Sequence, residues 1–201
     1  MIRSTLFAFL SLLFCGAAGA DRLPAAYQVT GVAGDDVLNI RAEPDAAAPI
    51  VGEIGPYQIA VEVLRLSDDG KWGLVGLPEG NGWVAMRFLQ ATPTDPYELP
   101  RPLACLGTEP FWSLAALPRG TEWSTPEEPR ADLTITEEAT APEGYRLRAE
   151  EGPTRVFHLS VLRQQCSDGM SDREFGFAAQ LFVESPEGNR LYSGCCTLNF
   201  Q

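Results

Sequence analysis

Cysteines, one histidine and a surplus of carboxylates set the chemistry open to this chain. Cys105, Cys166, Cys195 and Cys196 fall in its second half, and Cys15 stands alone near its start. A cysteine nucleophile needs a thiolate with a histidine base in hydrogen-bond reach. The sole histidine, His158, sits in a strand-like run between Phe157 and Leu159, with its side chain expected on the face opposite theirs. Such a residue reads as packing or surface. Oxidised sulfurs cannot attack, and an even cysteine set in an exported chain forms disulfides. Zinc is the competing use, but no C-x-x-C pair opens such a site. Glycoside cleavage needs two acids ~5–10 Å apart across a cleft, and among 27 acidic residues the sequence singles out no pair. Asp168 and Asp172 with backbone carbonyls suit calcium in type, yet lack the dense Asp/Asn run of a calcium loop. No phosphate loop, dinucleotide motif or haem attachment site is present. The expectation is a non-catalytic protein with no metal and no cofactor.

The compartment follows from the start of the chain. Arg3 precedes an apolar run, Leu6 to Phe14, and Ala18-Gly19-Ala20 offers small residues for a signal peptidase. Residues 1–20 therefore read as a secretory signal peptide, cleaved before Asp21. The run is shorter than the ~20 residues of a membrane span. Cys15 follows the bulky Phe14, which disfavours lipidation there. The expected location is the periplasm of a Gram-negative bacterium, with no transmembrane segment in the mature chain. The net charge of −12 repels phosphate backbones and argues against nucleic acid.

The elements that position these residues are short strands. A proline-rich stretch, 91–102, separates two halves and reads as a semi-rigid linker. All four cysteines of the mature chain follow it, so the expected division is 21–90, unstapled, and 103–201, stapled. In the first, strands are expected over 27–32, 37–41, 51–54, 59–63, 71–75 and 82–85. Ile59, Val61 and Val63 alternate with Ala60 and Glu62, the pattern of a half-buried strand. Ser67-Asp68-Asp69-Gly70 reads as a turn. In the second, six strands are expected: 111–117, 131–136, 145–149, 156–162, 177–183 and 191–198. Short Gly/Pro turns join them, as in an antiparallel meander curled into a barrel or sandwich. The fold class is all-β.

Leu38-Asn39-Ile40-Arg41 with Glu43-Pro44, Ile50-Val51-Gly52, Lys71-Trp72 and Gly82-Trp83-Val84 occur in order and at suitable distances. Together they resemble the bacterial SH3-like domain, a small barrel that exported proteins use to hold cell-wall or other envelope ligands. One departure is Gly55-Pro56-Tyr57 before the strand at 59. The resemblance implies a shallow groove lined by aromatics, for which Tyr57, Trp72 and Trp83 are candidates. Aromatic faces stack on sugars or peptide side chains at small entropic cost. Arg41 and Glu43 would pair with charged ends of a peptide. The competing reading places Trp83 in the core and has Arg41 brace its loop by pairing with Glu43 or Asp45.

In the second half, Gly107-Thr108-Glu109-Pro110-Phe111-Trp112, Cys166-Ser167-Asp168-Gly169-Met170-Ser171-Asp172 and Gly194-Cys195-Cys196 form a set. It resembles a family of small bacterial periplasmic or lipoprotein domains of uncharacterised function. Joining adjacent Cys195 and Cys196 strains the intervening peptide, so the residues leave two pairings open. The resemblance implies Cys166–Cys195 and Cys105–Cys196. Glu109, Phe111, Trp112, Asp168, Met170 and Asp172 are the motif residues. They either fix turns and plug a barrel end or converge on a ligand. The overall expectation is an exported binding protein whose first domain holds a cell-wall peptide, peptidoglycan or a periplasmic protein. The alternatives are a small-ligand carrier using the second barrel, and a wall hydrolase using Glu109 or Asp168.

Overall fold

A computed structural model describes residues 22–93, 95 and 98–198. The expected signal peptide, with Cys15, lies outside the described residues, as does part of the proline-rich stretch. Strands are the dominant regular structure, and the only helical element among the described residues is a short 3-10 turn at Met86–Phe88.

Residues 25–91 form two small sheets. β1 (Ala25–Val29) lies between β4 (Val61–Val63) and β8 (Leu89–Ala91). The second sheet runs β3 (Ile50–Ile54), β2 (Leu38–Arg41), β7 (Asn81–Ala85), β6 (Trp72–Gly76), β5 (Arg65–Leu66). Tyr27, Val29, Leu38, Ile40, Val61, Val63, Val75 and Val84 fill the core between them. β-branched residues dominate that list because they pack well on a pleated surface. The turn expected at 67–70 is present: Gly70 takes φ +69°, and Asp69 accepts from the Lys71 N–H and the Ser67 hydroxyl. Those bonds, the Lys71 N–H first, hold the Asp69 carboxyl down to about 2.

Residues 103–197 close into an eight-stranded antiparallel barrel. Its strands are β9 (Leu103–Thr108), β10 (Phe111–Leu117), β11 (Gly120–Ser124), β12 (Ala131–Ala141), β13 (Gly144–Glu151), β14 (Arg155–Ser167), β15 (Glu174–Glu184) and β16 (Arg190–Thr197). Two exceed the six expected. β9 has no alternation and follows prolines, and β11 begins at Gly120, which the sequence assigns to a turn. The interior is filled by side chains, as expected for a barrel of this size. Trp123, Phe157, Phe177, Leu114, Leu147, Leu159 and Leu181 are all fully buried there. Leu99, from the proline-rich stretch, is buried in the same core. Disulfides join Cys105 to Cys196 and Cys166 to Cys195.

β4 departs from the expected half-buried pattern. Ala60 takes φ +57°, which stops the strand, and leaves Ile59 exposed. Glu62, read as the solvent-facing residue, is only 3% exposed. Its face of β4 meets the barrel. The Thr197 hydroxyl donates to one Glu62 oxygen at 2.5 Å and the Leu198 N–H to the other at 3.0 Å. Burial pushes the Glu62 carboxyl up, against the lowering effect of those bonds and of Arg173. Three further contacts join the two parts. Arg163 donates to the Arg22 and Pro24 carbonyls. The Asn81 amide accepts from the Glu174 N–H at 2.6 Å and donates to the Glu174 carbonyl at 3.3 Å. Arg65 pairs with the Glu174 carboxylate at 3.5 Å.

Three outcomes follow for urea unfolding. Glu62→Ala removes the acceptor from two donors at the junction and lowers stability by about 2 kcal/mol. The native state binds the Glu62 proton more tightly than the unfolded chain does. Wild type therefore gains on Glu62→Gln as pH falls through the raised value, and gains nothing more below 4.5. Among the bridges, Cys105–Cys196 spans 91 residues and Cys166–Cys195 spans 29. By loop entropy, the Cys105→Ala/Cys196→Ala variant loses about 4–5 kcal/mol and the Cys166→Ala/Cys195→Ala variant about 3–4.

Candidate functional site

Antiparallel register decides what the five-stranded sheet presents outward. Val75, Val84 and Ile40 point into the core, so Trp72, Leu74 and Trp83 occupy the opposite face by alternation, where Leu74 is buried and the two tryptophans remain accessible. Trp83 lies directly across from Leu74 on one side and Arg41 on the other. Trp72 is across from Ala85, which makes it the diagonal neighbour of Trp83 on the same face. Arg65 is opposite Leu74, and its guanidinium lies 5.0 Å over the Trp83 ring. Both tryptophans are half-buried. The result is an aromatic row with an arginine at each side.

Arg41 is partly spent on its own loop. One guanidinium nitrogen donates to the Ala48 carbonyl at 2.7 Å, closing the 42–49 segment. The brace expected through Glu43 or Asp45 thus runs through a backbone oxygen instead, because Asp45 turns back to cap the Ala47 N–H at 2.7 Å. Glu43 is exposed in that same loop. Tyr57 is 80% exposed and is not part of the row. Its hydroxyl end rests against Gly34, where an added Cβ would come within 2.4 Å of it. Three of the five candidates are thus brought together. Arg65 was missed. Counting back through the 67–70 turn places Arg65 across from Leu74, so hairpin register carried the signal.

The barrel motifs converge, and the reason is packing. Trp112 is buried, stacks on Trp123 with ring centroids 6.0 Å apart and donates its indole N–H to the Ser193 carbonyl at 3.1 Å. The strands beside it carry glycine. A Cβ at Gly107 would sit 2.1 Å from the Trp112 indole nitrogen, and one at Gly194 only 2.0 Å from the Leu106 carbonyl. No side chain fits at either place. The 166–172 loop is drawn onto this wall by Cys166–Cys195 and by the Thr108 hydroxyl, which donates to the Asp168 carbonyl at 2.8 Å.

Asp168 caps its own loop. Its carboxylate accepts from the Met170 and Ser171 N–H groups, both at 3.0 Å, and from the Ser171 hydroxyl. These bonds, the Ser171 N–H above all, hold its carboxyl below the usual carboxylate range despite some burial. Asp172 and Glu109 are exposed, as are Met170 and Phe111. No group of three or more His, Cys, Asp or Glu able to hold a metal occurs among the described residues. His158 lies 3.2 Å from Glu184 on the outer barrel wall, against Phe182, and all four cysteines among the described residues are bridged.

Register, the tryptophan row and the braced loop after β2 all lie within one stretch of chain. Residues 36–90 match the bacterial SH3 domain family. Every residue of the aromatic row belongs to that SH3 unit, as do Glu43 and Tyr57. No curated protein and no solved structure matches the chain. No helix among the described residues is long and apolar enough to cross a membrane. The SH3 match and the disulfides are consistent with an extracytoplasmic protein.

Gly194→Ala tests the packing account of the motifs. The added methyl meets a backbone oxygen that cannot yield, so the variant loses at least ~2 kcal/mol in thermal unfolding. It also loses the near-ultraviolet signal of the stacked tryptophans.

Proposed function

We propose that this is a non-catalytic exported envelope protein whose SH3 unit binds a cell-wall peptide across the Trp83 face. The observation that carries the reading is the half-buried pair Trp72 and Trp83 on one face of the sheet, with Arg41 and Arg65 beside them. Aromatic rings offer flat apolar area to a peptide or its sugar, and the arginines suit its carboxylates. Arg65 is available for such a role. Its pair with Glu174 is 3.5 Å long and the side chain is half exposed, so exchanging that partner for a ligand carboxylate costs little. The resemblance of the second half to periplasmic and lipoprotein domains agrees with this placement.

Neither alternative finds equal support. A carrier pocket inside the barrel competes for the space held by Trp112, Trp123, Phe157 and Phe177. A hydrolase using Asp168 needs a carboxylate that is already committed to three donors of its own loop.

The test is co-sedimentation of the full chain with purified peptidoglycan. Wild type is retained, and Trp83→Ala cuts retention about tenfold, in line with loss of a buried aromatic contact. Tyr57→Ala, which changes a ring outside the row, leaves retention intact. A wild type that stays in the supernatant, or a Trp83→Ala variant retained as well as wild type, defeats the reading.

A further inference from the structure

The outer wall of the barrel carries a second concave surface. A cleft of about 520 Å³ lies across β14, β15, β16 and β9, under the loop that Cys166–Cys195 ties down. That volume falls in the ~300–1,000 Å³ range of small-molecule sites. Its floor has an ordered pattern. Ser160, Gln180 and Ser193 stand directly opposite one another on three consecutive strands. With Gln164, at the register shift of β14, they give four neutral side chains that each donate and accept hydrogen bonds. None of the four has a side-chain hydrogen bond to another described residue.

The rest of the lining narrows the ligand. No lysine, arginine or histidine lines the cleft, and its acids are Glu109 and the self-capped Asp168. An anion would find no counter-charge there and would meet repulsion. Leu106, Leu162 and Ala178 form an apolar strip beside the polar row. Phe111 lies one strand beyond, paired with Thr108 of the lining, and 52% of it is exposed. Hydroxyl and amide partners in a row, an apolar strip for C–H faces and an aromatic ring at the rim match an uncharged polyhydroxylated ring.

We propose that this cleft binds a short neutral saccharide. Gln180 and Ser193 hydrogen-bond its hydroxyls, and Phe111 stacks on its edge. The disulfide matters because it fixes the overhanging wall, so little ordering is left for the ligand to impose. The site is separate from the tryptophan row and does not depend on the SH3 unit's ligand.

Saturation-transfer NMR with the full oxidised chain tests this, using cellobiose and N,N′-diacetylchitobiose as probes and glucuronate as the anionic control. At least one neutral disaccharide gives saturable transfer and glucuronate gives none. Gln180→Ala and Phe111→Ala, both on the outer wall, weaken the interaction about fivefold to tenfold while near-ultraviolet dichroism stays unchanged. Trp83→Ala leaves it unaffected, which separates this site from the SH3 face. Binding is insensitive to salt, since no ion pair forms. Absence of transfer from both neutral probes overturns the proposal. So does equal binding by Gln180→Ala and wild type, or binding that Trp83→Ala abolishes.

Discussion

The structure depends on the seam where the barrel closes. An antiparallel sheet of eight strands has two edges with unpaired backbone groups unless its first and last strands meet. Here β9 and β16 meet at Cys195 opposite Leu106, Cys196 opposite Cys105 and Thr197 opposite Ala104. The Cys105–Cys196 bond lies across that seam. Everything distinctive about the second half is arranged around it. Trp112 needs Gly107 on one seam strand and Gly194 on the other, and its indole N–H needs the Ser193 carbonyl between them. The second disulfide uses Cys195 of the same strand to hold the overhanging loop.

The junction with the SH3 unit begins where the seam ends. Thr197 is the last residue of β16, and with Leu198 it supplies both donors to Glu62. A buried carboxylate without such donors is expensive. The position of β4 is therefore tied to correct closure of a barrel more than a hundred residues away in sequence. On the opposite side of the β14–β15 loop, Glu174 reaches both Asn81 and Arg65. The loop that roofs the barrel cleft thereby also touches the sheet that carries the tryptophans.

Much of this was legible in the residues. The all-β class follows from short alternating runs and Gly/Pro turns, and disulfide bonding from the even set of four cysteines behind the proline-rich stretch. The SH3 unit is marked by Leu38-Asn39-Ile40-Arg41 and Gly82-Trp83-Val84. What was not legible has local causes. Glu62 alternates with two valines and so reads as solvent-facing. Only the barrel packed on its other side makes it buried. β9 carries apolar residues on both faces and sits behind prolines, so periodicity is silent about it. Trp112 reads first as a barrel plug, but what makes it one stays hidden, because a sequence does not show that two distant glycines flank the same ring. The cleft residues Ser160, Gln180 and Ser193 belong to no motif, and only strand register aligns them.

The Glu62 contact also orders events in time. The SH3 unit emerges from the ribosome before the barrel, yet its β4 carboxylate finds its partners in Thr197 and Leu198, at and just beyond the end of the final strand described. Until that strand has arrived and paired, the unit has an acidic group facing a surface that does not exist. A nascent chain would therefore hold its two parts undocked, with the aromatic row free of the Arg65–Glu174 pair. Maturation would add that constraint only after the whole barrel had formed.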